Sequence, residues 1–449
     1  MALLANDGVI TAPEAQTDVA AVQTRFDATV IPALRDPAAL TISPAERATL
    51  RRLAANVAEL AARPIEGKKR DLWYRHNALE GTRPVIFCDP ENGWNEIIRP
   101  AELTCHSPLA RRWEMHLRKE IFWGTEMCDD YTVEPYFNVF HIHSGGIEEW
   151  GLKEETVSGG DGGSYRWESP IKTMHDLGKL RFPTVQVDWP ATNRVRNQAN
   201  EILGDLLAVR LHTNWWWTLG MTMRVAFLRG LAQMMYDMVD NPDLLHGLMA
   251  ILRDGTLSLL DALERDGLLS LNNDGTYVGS GGLGWSQELP AADFDGKART
   301  NDMWGFAESQ ETVGVSPRMF AEFVFPYQLP VLERFGLNCY GCCEPLDTRW
   351  HIVQKIPRLR RVSVSAWANM EKMAEKLGAC YIFSWKPAPV DLASPTIDEV
   401  KIREGLRRTF QVTRNCRVEV LMKDNHTIGN NPQNVIRWCQ IAREEAERV

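Results

Sequence analysis

Apolar positions first recur at helical spacing. Over 43–63, Leu50, Leu53, Val57 and Leu60 fall on one face, with Ser43 and Pro44 as a helix start and Glu46 in the first turn. Residues 1–75 are therefore expected to form a helical N-terminal extension. Beyond them the pattern changes. Short apolar runs at 84–88, 131–140, 207–212, 268–271, 338–343, 361–365, 381–384 and 418–422 alternate with helical stretches such as 229–265 and 317–335. Ser316 and Pro317 open the last of these. Strands that alternate with helices indicate an α/β fold with a parallel sheet, and eight of them predict a (β/α)8 TIM barrel over 76–449. Residues 304–308 also read as a strand but are assigned to the return loop after the fourth run. The Gly-, Ser- and charge-rich stretch 144–190 predicts a surface hairpin or lid, and GSGGLG at 279–284 a flexible connection.

Composition narrows the class. The chain has 449 residues, 44% hydrophobic and 24% charged, which is globular and rules out a disordered or fibrous chain. A net charge of −9 argues against wrapping nucleic acid. No apolar run approaches the roughly 18–20 residues of a spanning helix, and the start lacks the charged and apolar regions of a signal peptide. The expectation is a cytoplasmic protein that engages no membrane. Its nine cysteines, an odd number, suit metal ligands or reactive thiols better than disulfide staples. Sixteen Trp against nine Tyr suggest an aromatic-lined pocket as well as core packing.

In a barrel of this type, chemistry sits where strands end and βα loops begin. The fifth run ends in Tyr340-Gly-Cys-Cys-Glu344 and the eighth in Lys423-Asp424-Asn425-His426. The second ends in His141-Ile-His143, the fourth in Asn272-Asn273-Asp274 and the seventh in Ser384-Trp385-Lys386. Cys342, Cys343 and Glu344, with His426 from another strand, offer sulfur, oxygen and nitrogen donors suited to zinc. The alternative reading makes the two thiols small buried hydrophobes. Adjacent strand residues point to opposite faces, so only one thiol faces the site unless the loop has begun. The HxH of His141 and His143 is a weaker metal signal. Trp215, Trp216 and Trp304, with Glu308 and Asn273, are the candidate substrate-binding residues. Walker A and GxSxG patterns are absent.

These strings resemble the uroporphyrinogen decarboxylase superfamily, which includes decarboxylases and corrinoid-dependent methyltransferases. The resemblance covers roughly residues 70–449. It is carried by 315–327 (VSPRMFAEFVFPY), by YGCCEPLDTRW, VSVSAWANMEKMAEKLG and LMKDNHT, and by 431–438 (NPQNVIRW). The decarboxylases' arginine-bearing string is missing at 73–85, where the chain reads WYRHNALEGTRPV. The methyltransferases hold zinc through a His-x-Cys pair and a Cys near the last strand's end. Cys342 matches the Cys of the pair, Tyr340 stands in place of the His, and the last strand ends in Lys423, Asp424 and His426.

The resemblance implies a corrinoid-linked methyltransferase, or demethylase. It would move a methyl group between a small O-, N- or S-methyl substrate and a separate corrinoid protein, with zinc as Lewis acid. His426 would be the acid where it is not a ligand, tuned by Lys423 or Asp424. The alternative is a uroporphyrinogen decarboxylase-like lyase acting on a carboxylated aromatic or a tetrapyrrole. A non-catalytic ligand-binding barrel is a third class, since fold does not fix function. A homodimer is left open.

Overall fold

The computed structural model describes residues 37–153, 155–158 and 165–449. Part of the expected extension, 1–36, therefore lies outside the described residues. Ser43 and Glu46 cap the helix Pro44–Ala61 reciprocally: the Glu46 N–H donates to Ser43 Oγ and the Ser43 N–H to Glu46 Oε2. This helix and Pro64–Asn77 are part of the main body. Leu50, Leu53, Val57 and Trp73 are buried in the same apolar cluster as strand residues Val85, Val362 and Val420.

Eight strands pair only in parallel: β1 Val85–Cys88, β2 Tyr136–Val139, β3 Ala208–Leu211, β4 Trp304–Ala307, β5 Leu337–Tyr340, β6 Leu359–Val364, β7 Ile382–Trp385 and β8 Arg417–Met422, in two separate sheets. Six form one sheet in the order β1-β8-β7-β6-β5-β4, so the first strand lies beside the last, Val85 opposite Glu419. β2 and β3 form a separate parallel pair. Most of the six strands are buried along their whole length, as a sheet covered on both faces requires.

Three expectations need correction. Residues 268–271 form no strand, and Trp304–Ala307, assigned to a loop, is β4. The 268–272 segment is instead tied in through side chains. The Asn272 Nδ2–H donates to Trp304 O, and the Trp304 N–H returns a bond to Asn272 Oδ1. The second run is strand only over its later half, Tyr136–Val139, and Asp129 and Asp130 just before the run serve β1. The Asp130 N–H donates to Ile86 O, and Asp129 Oδ2 accepts the Cys88 N–H. The Gly-rich run is no flexible connection. Residues 277–285 are buried, with Tyr277 and Leu283 forming an antiparallel bridge. A Cβ on Gly279 would lie 3.0 Å from Cys339 Cβ, and one on Gly281 2.8 Å from Leu421 Cδ1. Glycine is what lets this hairpin press between β5 and β8.

The 144–190 stretch contains two antiparallel pairs, His143–Gly145 with Val185–Val187 and Glu155–Ser158 with Tyr165–Glu168. Among the described residues, no helix is long and apolar enough to cross a membrane.

Candidate active site

The site is built at the C-terminal ends of β1, β5, β6, β7 and β8. β5 stops at Tyr340, and Gly341 takes φ +92° where a Cβ would sit 2.7 Å from Leu346 Cδ1. Only glycine makes that turn, which carries Cys342 and Cys343 off the strand. Glu344 then fixes the turn from beneath. Its Oε2 accepts the Cys342 N–H at 2.9 Å, and its Oε1 accepts the Ser309 N–H at 2.8 Å. From β6, the Ser363 hydroxyl donates to Cys342 O at 2.8 Å.

The two sulfurs stand 3.7 Å apart, with Cys342 buried and Cys343 exposed. Their contact pushes the Cys342 thiol well above its ordinary range, with burial adding to it, and holds Cys343 below its own. Cys343 is thus the more acidic and the more accessible thiol. Its sulfur lies 3.9 Å from Asp424 Oδ2, which brings the ends of β5 and β8 together. Asp424 sits at φ +61° and receives a hydrogen bond from the buried Lys423 ammonium. Burial opposes the charge on Lys423, but Tyr277, Cys342, Asp424 and Glu91 together more than offset it.

Glu91, just beyond β1, places Oε1 4.0 Å from Lys423 Nζ. Burial raises its carboxyl to about 7, against the pull of Lys423. Tyr277 reaches this cluster from the hairpin, its phenol pushed well up by burial. Lys386, at the end of β7, has its ammonium lowered to about 8 by burial, with Glu419 opposing and Lys423 reinforcing the shift. An acid near 7 beside a persistent cation and a depressed thiol forms a set able to pass protons at neutral pH.

Cys342, Cys343, Lys423 and Asp424 come together as the strand-end rule expected, and Glu344 lies beneath them. His426 is exposed, its Nδ1 3.5 Å from Asn92 Nδ2. Both Glu344 oxygens are held by backbone N–H groups. Among the described residues, no group of three His, Cys, Asp or Glu side chains is arranged to hold a metal. The residues present do not fit the zinc site that the resemblance implies.

The expected binding residues are spread out. Trp304 is fully buried, its indole N–H on Gly284 O and the Arg361 guanidinium 5.1 Å over its ring. Trp216 packs against Phe335. Trp215 donates to Leu268 O and lies against His141 and His143. Both histidines are buried, and burial together with His143 lowers His141 to about 4. The Asn273 amide donates to Leu289 O. Glu308 is buried beside Thr218 and Gly220 and raised well above its ordinary range by burial, with Glu311 and Glu344 adding to it. The sequence reading gives no place to Glu91 and Tyr277, and it notes Lys386 at the end of the seventh run without assigning it a role. Glu91 and Lys386 follow strand ends and obey the same rule as Cys342, whereas Tyr277 arrives on a hairpin that no spacing reveals.

No protein-family model and no curated protein matches the chain. A methyltransferase from Methanosarcina mazei is similar in structure, at 12% identity and a TM-score of 0.48, over 84% of this chain and 97% of that one.

Proposed function

We propose that this chain is a methyltransferase that moves a methyl group between a small O-, N- or S-methyl substrate and a corrinoid held by a separate protein. In this reading the six-stranded sheet and the β2–β3 pair are two arcs of one (β/α)8 wall, and the chain belongs with the uroporphyrinogen decarboxylase superfamily. The observation that carries the reading is the meeting of two strings that resemble that superfamily: YGCCEPLD and LMKDNHT touch at Cys343 and Asp424, 3.9 Å apart. The reaction centre would be their junction, at the strand ends where such sheets place chemistry.

A reduced corrinoid would supply the nucleophile that takes the methyl group. The work left to this chain is to hold the methyl donor and return a proton to the heteroatom that the methyl group leaves. No step runs through a metal. Glu91 suits the proton transfer, since at about 7 its carboxyl is partly protonated at working pH. Lys423 stays charged beside it and can stabilise negative charge that develops on the leaving atom. Asp424 orients Lys423, and Cys343 borders the same space.

The test is a screen of methoxylated aromatics, methylamines and thioethers with the purified protein and cob(I)alamin, following methylcobalamin by absorbance and CO2 in parallel. Methylcobalamin formation with one substrate class supports the reading. CO2 release without methyl transfer would replace it with the lyase.

A further inference from the structure

Among the described residues, Lys386 is a buried cation in no direct ion pair; it reaches Glu419 only through the Ser384 hydroxyl. It is 6% exposed, and its ammonium donates to Ser384 O at 3.2 Å and to Ser384 Oγ at 2.7 Å, both uncharged oxygens. The nearby carboxylate is committed elsewhere. Glu419 Oε1 lies 2.8 Å from Arg361 Nε and accepts the Ser384 hydroxyl at 2.6 Å, while its Oε2 lies 3.2 Å from His76 Nε2. A buried charge in no direct ion pair is unfavourable, so its retention at a strand end calls for a ligand that completes it.

The groups around Lys386 agree on what that ligand is. Val364 pairs with Trp385, and the Lys386 N–H donates to Val364 O, so Ser365 stands level with Lys386 on the next strand. Alternation puts Ser365 on the face of Ser363, whose hydroxyl meets Cys342. Among the described residues, the buried Ser365 hydroxyl has no hydrogen-bond partner. Lys423 adds a second cation whose field reaches Lys386. An ammonium held only by one serine and an unspent hydroxyl are donors in search of acceptors, which an anion supplies and an amine or a hydrocarbon does not.

We propose that Lys386 and Ser365 bind the carboxylate of a small carboxylic-acid substrate. That this acid is also the methyl donor rests on the reading under Proposed function. The carboxylate site itself does not.

The experiment uses benzoate and its neutral isostere benzamide as probes, titrated into wild type, Lys386→Met and Ser365→Ala by calorimetry. Benzoate should bind wild type at least tenfold more tightly than benzamide. Lys386→Met should abolish that preference, and Ser365→Ala should weaken benzoate binding several-fold. Lys386→Met should melt no lower than wild type without ligand, because it removes a buried charge in no direct ion pair. Equal binding of the two probes, or a preference that survives Lys386→Met, would overturn the site. Should Lys386→Met fail to fold, unchanged benzoate binding in Ser365→Ala overturns it instead.

Methyl transfer from 4-methoxybenzoate and 4-methoxybenzamide then separates the two claims. Benzoate preference without methyl transfer upholds the site and removes the claim that the bound acid is the methyl donor. Equal transfer from both substrates upholds the methyl-transfer reading and removes the site.

Discussion

At Glu91 the surroundings decide what a common side chain does. Removing it from water raises its carboxyl to about 7, from an ordinary 4.5. Between these values an unfolded chain has already lost this proton while the folded chain still holds it. Stability therefore falls as pH rises from about 4.5 to 7 and levels off above. Glu91→Gln keeps the shape and removes the ionisation. It should match wild type near pH 4.5 and exceed it at pH 8 by on the order of 2 kcal/mol, as measured by urea midpoints. A variant less stable than wild type at pH 8 would mean that the Lys423 contact outweighs the burial. Residues of this kind are legible only in part. Cys342, Cys343, Lys423 and Asp424 announce themselves at strand ends, but nothing in the sequence separates His426, which turns to solvent beside Asn92, from Asp424, which meets Lys423 and Cys343.

The Gly-rich hairpin marks where sequence reading loses the elements. Glycine runs between strands read as flexible because glycine tolerates many conformations, yet here it is selected for close approach. Gly282 has φ +95°, and a Cβ there would sit 2.7 Å from Arg361 Cζ. Gly282→Ala should strain the backbone and push Arg361 off Glu419, costing about 2–4 kcal/mol in a denaturation midpoint. An effect under about 0.5 kcal/mol, the scale of an ordinary surface change, would show that the hairpin yields freely. β4 was misread for a related reason. LLSL at 268–271 and WGFA at 304–307 are both short apolar runs, and periodicity alone ranks neither. The difference lies in long-range pairing, since only WGFA finds a strand partner, from Trp304 opposite Leu337 to Ala307 opposite Tyr340. The longer signals survived: Ser43 with Glu46 and Ser316 with Pro317 start helices as their chemistry dictates.

Across the whole molecule, the N-terminal helices are bound to the body by charge as well as by packing. Glu46 Oε1 accepts the N–H groups of His106 and Ser107, both at 2.8 Å, and its Oε2 accepts that of Ser43. Burial alone would raise this carboxyl, but the backbone donors outweigh it and hold it near 2. A lowered folded value means stability present above about 4.5 and lost as pH falls toward 2. Glu46→Gln should therefore destabilise the protein by about 1–2 kcal/mol at pH 7 and by progressively less in acid, read from melting temperatures across pH. A loss independent of pH would place the effect in packing. Sequence patterning located this helix correctly, but its amphipathic face could not say which surface it covers.

The central claim is that Glu91, Lys423, Asp424 and Cys343 form one centre that transfers a methyl group. The most direct test is the rate of methylcobalamin formation by wild type and Glu91→Gln from pH 5.5 to 8.5, with a substrate found active in the screen. Because the acid acts in its protonated form, wild-type turnover should be highest at low pH and fall through about 7. Glu91→Gln should run about 100-fold slower or worse, without that inflection, while remaining folded. A folded Glu91→Gln variant with the wild-type rate and the wild-type pH profile would contradict the account.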